Sequence, residues 1–143
     1  MQRFGDRSGQ LVAGLQLICS QGTPRPGPTQ TCSRPVHEPA TVRAAAGHMH
    51  LLGRSLRIEA NPGTPRARTI LDIPVRDVDD QGARPLRRPV HLRAGDTLQS
   101  SCTHDQGLRD LLPAFAGQPE RYVVWGEGTT DEMCLGILMV TRP

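Results

Sequence analysis

From residue 11 onward, apolar side chains recur at every second position in short bursts, each closed by proline, glycine or polar residues. In "LVAGLQLIC" (11–19), Leu11, Ala13, Leu15, Leu17 and Cys19 share one face, the period of a half-buried strand. "SQGTPRPGPTQTCSRP" (20–35) holds four prolines and two glycines and reads as an irregular excursion. Residues 40–52 alternate loosely. "RSLRIEA" (54–60) turns Leu56 and Ile58 inward, with Arg54, Arg57 and Glu59 polar, and "NPGTPR" (61–66) is a turn by composition. "TILDIPV" (69–75) is a further strand that Pro74 marks as an edge or an ending. "DVDDQGARPLRRP" (77–89) reads as a polar loop, and "VHLRAGDTLQSSC" (90–102) as two strands about Ala94-Gly95-Asp96. Helical character is confined to 105–121, where Pro113 and Pro119 keep it short. "YVVWGEGTTDEMCLGILMV" (122–140) reads as two strands around a Gly-Thr loop. Seven or eight short strands with almost no helix predict an all-β fold, an antiparallel β-sandwich or jelly roll.

The chain has 143 residues, enough for one core, and no internal repeat. All 17 basic residues are arginine, dispersed among acids, and aromatics make up 3% of the chain. A nucleic-acid surface, which needs clustered basic residues with stacking partners, is not expected. No apolar run approaches the ~18 residues of a membrane span. The N-terminal stretch, with Asp6 and an interrupted apolar run, lacks the form of a signal peptide or lipoprotein box. Export is then either not encoded here or belongs to a longer protein. Cys19, Cys32, Cys102 and Cys134 form no C-x-x-C, and their even number suits either two disulfides or four buried thiols.

The candidate chemistry lies in "GHMHLLGR" (47–54). On a strand, His48 and His50 point the same way, roughly 6.8 Å apart, close enough to converge on one metal, while Met49 faces packing. A third ligand is required. Asp72, Asp77 and Asp96 are acidic candidates, and Met133 and Met139 soft ones on a shared face. Two imidazoles with a thioether would select copper, since a thioether suits the cuprous ion and not zinc. The spacing leaves the choice open, and core filling is the usual role of a methionine.

"HMHLLGR", "GDTLQSSCTHD" and "WGEGTTDEMCLGILMV", in this order, resemble the C-terminal catalytic domain of the copper type II, ascorbate-dependent monooxygenases, the family of dopamine β-monooxygenase and peptidylglycine α-hydroxylating monooxygenase. The resemblance covers residues 40–143; residues 1–39, a strand and a Pro-rich loop, match poorly. It implies a jelly-roll-like sandwich, and a substrate-side copper held by His48, His50 and Met133 where dioxygen binds, with ascorbate as electron donor. It also implies a Cys102–Cys134 disulfide, which leaves Cys19 and Cys32 to pair, and an extracellular or periplasmic setting.

Departures from the family pattern shape the functional expectation. The family's second copper sits in a separate N-terminal domain on three histidines, whereas His37, His91 and His104 here are scattered. Hydroxylation needs two electrons from outside the substrate and one copper supplies one, so a missing copper domain is an expected partner. Where peptide-hydroxylating members carry arginine, asparagine and tyrosine, this chain has Ala46, Leu135 and Ile137. A C-terminal glycine peptide is therefore not the expected substrate; a neutral or aromatic small molecule with a reactive C–H bond is. His104, at a position often tyrosine in amine-hydroxylating relatives, reads as a surface residue. The competing readings are a non-catalytic copper-binding sandwich and an interaction domain in which all these residues are structural.

Overall fold

Burial alternates without a break along the strand Thr97–His104, with Leu98, Ser100, Cys102 and His104 buried and their neighbours half-exposed. The same alternation runs from Glu132 to Val140, placing Glu132, Cys134, Gly136, Leu138 and Val140 inward. Such segments bury one face against a second layer. The structure is a computed structural model describing residues 4–5, 11–19, 29–119 and 126–143. Its strands are β1 (Phe4–Gly5), β2 (Leu11–Ile18), β3 (Thr29–Pro35), β4 (Ala40–His48), β5 (Gly53–Ala60), β6 (Arg68–Ile73), β7 (Arg84–Leu92), β8 (Thr97–His104) and β9 (Leu135–Thr141). The one α-helix described, α1 (Leu108–Leu111), is followed by a 3-10 turn at Pro113–Phe115.

All strand pairs are antiparallel. One sheet has the order β1-β2-β9-β4-β7 and the other β3-β8-β5-β6. Apart from the short β1, this is the strand order of a jelly roll, with consecutive strands mostly crossing between sheets. Leu17, Val42, Ala45, Leu138 and Val140 of one sheet meet Leu56, Ile58, Ala60 and Leu98 of the other in a single core. Gly47 and Gly136 pair across the β4–β9 ladder. A Cβ on Gly47 would lie 2.7 Å from Leu56 Cδ2, and one on Gly136 2.9 Å from Ile58 Cδ1, so the two glycines let the sheets close together there.

Two segments differ from the sequence expectation. Within the proline-rich excursion, residues 29–35 form β3, paired with β8 and turning Gln30 and Cys32 toward the interior. The expected polar loop ends in β7, where Pro85 and Pro89 are accommodated because, among the described residues, the strand pairs with β4 alone. Both are edge strands whose exposed positions blur the apolar alternation. Of the two closing strands, β9 is found; the first lies largely in 120–125, outside the described residues. Residues 11–19 and 29–39 are part of the same sandwich, with Leu17, Cys19 and Val36 in its core.

Two disulfides, Cys19–Cys32 and Cys102–Cys134, each join one sheet to the other. They lie side by side, for the Cys19 amide donates to the Cys134 carbonyl at 3.0 Å. Cross-linking across 32 residues restricts the unfolded chain more than across 13. In the chain-entropy picture the losses on removal are about 4 and about 3 kcal/mol. Urea unfolding of Cys102→Ala/Cys134→Ala and of Cys19→Ala/Cys32→Ala should reproduce that order. Losses below about 1 kcal/mol in both would mean that the core holds the sheets unaided.

Candidate metal site

β4 ends at His48, and the chain turns through His50–Gly53, closed by the Gly53 amide donating to the His50 carbonyl at 3.1 Å, before entering β5 in the opposite sheet. Because Gly47 faces Leu56 across the core, His48 turns to the outer face. Met49 returns to the interior, fully buried and packed where a side chain on Gly53 would otherwise sit. His50 joins His48 outside, the rings perpendicular with centroids 5.2 Å apart. The period-2 expectation for this triplet is thus met on both faces.

The backbone of Met133 comes to the same corner from the other end of the chain. His48 pairs with Leu135, and the unbroken alternation over 132–140 puts Met133, Leu135, Ile137 and Met139 on the outer face. The register carries Met133 toward His50. One carboxylate oxygen, Glu132 Oε2, accepts from both the His50 amide (3.0 Å) and the Met133 amide (3.3 Å). Met139 pairs instead with Ala44, further from the histidines along the ladder. Asp72 and Asp77 are exposed, and the buried Asp96 stands at the far end of the sandwich, accepting from the Arg93 amide and from Arg66. None of the three joins the histidines.

Several groups that sequence reasoning missed hold this corner. The His50 Nδ1 lies 3.1 Å from the Asp131 carbonyl oxygen, which can only accept, so Nδ1 is the donor and Nε2 is the ring nitrogen not engaged by that bond. This outer contact, ring N–H to carbonyl, is the one that orients metal-ligating imidazoles. Arg76 donates through Nη1 to the His50 carbonyl at 2.9 Å and through Nη2 to the Met49 carbonyl, gripping the turn from outside. Burial lowers the Arg76 pKa, opposed by Glu132 and Asp77. Glu132 Oε1 accepts from the Leu52 amide at 2.6 Å. His104, expected at the surface, is instead buried inside the sandwich with Nε2 3.4 Å from Glu132 Oε2. Its face was readable from the β8 alternation shared with Leu98 and Cys102.

The arrangement offers two imidazoles on one outer face, with Met133 at an outward position of the neighbouring segment. Among the described residues no three His, Cys, Asp or Glu side chains gather so as to hold a metal. Burial, then the neighbouring His50, lowers the His48 pKa, with Gln81 opposing. Neutral imidazole is the metal-binding form.

No family model matches this chain, and no curated protein matches it. Among solved structures, the crystal structure of dimeric latent PorU from Porphyromonas gingivalis aligns with 92% of this chain and 13% of its own, at 12% identity and a TM-score of 0.26. A likeness at that level adds nothing to the reading of the site.

The His48 shift has a consequence for stability. Above the ordinary value of 6.5 the ring is neutral in both folded and unfolded chains and contributes nothing. As pH falls below it, the unfolded chain takes the proton first, and stability is lost until pH passes the lowered folded value. The urea midpoint of metal-free protein should therefore drop between pH 7 and pH 5, and less so in His48→Gln. An identical drop in the variant would assign the effect to other groups.

Proposed function

We propose that this chain is the substrate-side copper domain of a copper type II, ascorbate-dependent monooxygenase that hydroxylates a C–H bond of a neutral small molecule. The observation that carries the reading is the outward imidazole pair, with His50 held through Nδ1 to the Asp131 carbonyl and the Met133 backbone tied beside His50 through Glu132. His48, His50 and Met133 would hold the metal, and their uncharged, partly soft donor set favours the cuprous ion. Copper, when bound, supplies the one-electron redox chemistry that hydroxylation by dioxygen requires. The three resembling motifs in register add to this support.

The protein's own part is positioning and exclusion of water. Leu135 and Ile137 extend the outer face beside His48 and Ala46, an apolar bed suited to a neutral or aromatic substrate and lacking a partner for a peptide carboxylate. Hydroxylation consumes dioxygen, two electrons and two protons, releasing water with the product. A single copper passes one electron at a time, so ascorbate would work through a second copper domain. The remaining histidines do not assemble one among the described residues. His37 is exposed, His91 contacts Thr41, and His104 is buried against Glu132. That scatter also favours a second reading, a sandwich that binds copper without catalysis. Two disulfides accord with an extracellular or periplasmic setting, and no described helix is long and apolar enough to cross a membrane.

Titration with Cu(I) against a competing chelator should give one ion per chain. Binding should vanish in His48→Ala and weaken at least about tenfold in Met133→Leu, the equivalent of about 1.4 kcal/mol. Copper uptake indifferent to His48 would end the reading. Ascorbate-driven formation of hydroxylated product from a panel of aromatic substrates, with a second copper domain supplied, separates catalysis from simple binding. Tight copper binding with no product under those conditions favours the non-catalytic sandwich.

A further inference from the structure

We infer that Glu132 is the positioning residue of this site: its buried carboxylate pins the His50 and Met133 backbones to one point, so that an imidazole and a thioether from remote parts of the chain stay converged. The inference rests on the copper reading for its purpose, though not for its geometry. Glu132 is 2% exposed and points between the sheets, behind the outward-facing donors. Its Oε2 accepts from the His50 and Met133 amides, its Oε1 from the Leu52 amide, and His104 Nε2 approaches Oε2 at 3.4 Å. These amides lie beyond the end of β4 and before the start of β9, where the ladder between those strands no longer serves them. Amides turned away from solvent need an acceptor, and here one carboxylate supplies it to the part-buried His50 and Met133 amides and the buried Leu52 amide, 82 positions away in the case of His50.

Methionine is the ligand that most needs such support, because its side chain has three freely rotating bonds. Met133 sits between two anchors, the carboxylate of Glu132 on one side and the disulfide of Cys134 on the other. Glu132 thereby acts on the metal through the backbone of its ligands without touching it.

Glu132→Gln keeps the volume but exchanges one acceptor oxygen for a donor facing amide donors. X-ray absorption of the Cu(I)-loaded variant should show histidine scattering retained and the copper–sulfur contribution lost, as in Met133→Leu, with affinity lowered about tenfold or more. Met139→Leu, on the same face, should leave both unchanged. An undiminished copper–sulfur signal and affinity in Glu132→Gln would overturn the inference. If that variant does not fold, amide hydrogen exchange in metal-free wild-type protein decides. The His50, Leu52 and Met133 amides should be as protected as ladder amides, and rapid exchange at them would refute the role. A wild-type protein that takes no copper at His48 and His50 removes the copper reading alone, since the exchange pattern still judges the tether.

Discussion

The antiparallel ladder between β4 and β9 is the constraint on which the candidate site depends. It pairs His48 with Leu135 and Gly47 with Gly136, and so delivers the end of one strand beside the start of another. Register is binding here because side chains alternate. A slip of one residue would drive His48 into the core and expose Met49, which is fully buried. The glycine pair adds a second lock, since Leu56 and Ile58 of the facing sheet occupy the room their side chains would need. The bulge between Val42 and Ala44 lies well up the strand and leaves the register through His48 continuous.

Strands were legible where one face is apolar and the other largely polar, as in β5 and β8, and where a short apolar run is closed by polar residues, as in β9. They were not legible in β3 and β7, which lie at sheet edges. There a proline costs no ladder bond on the open side, and exposed positions accept almost any polar residue. That His48 and His50 share a face follows from period 2 alone, which is why the two candidate ligands were readable. Glu132 was not, because an acid beside a methionine looks solvated until packing shows three amides converging on it. Arg76 was hidden for a similar reason. Its fork matters only after the chain has turned at His50 and brought two carbonyls to it. His104 was misplaced although its neighbours Leu98 and Cys102 already indicated an inward face.

The cysteine pairs illustrate the limit of spacing. Four residues at 19, 32, 102 and 134 permit several connectivities, and nothing local selects among them. Topology does select. β2 and β3 are consecutive and lie in opposite sheets, so Cys19 and Cys32 meet across the gap, while Cys102 and Cys134 cross the same gap from β8 to the segment before β9. The edge of the fold that carries the histidines is thereby the edge at which the layers are covalently joined.

That joining leaves the molecule with no free sulfhydryl. Thiolates outrank thioethers and imidazoles as partners for soft monovalent ions, and a single loose one would sequester such an ion in an arrangement with no vacancy for a reactant. Oxidised cysteines cannot compete. The staples that hold the layers together also remove the thiols that would outcompete the imidazoles and thioether for any soft cation offered to the candidate site.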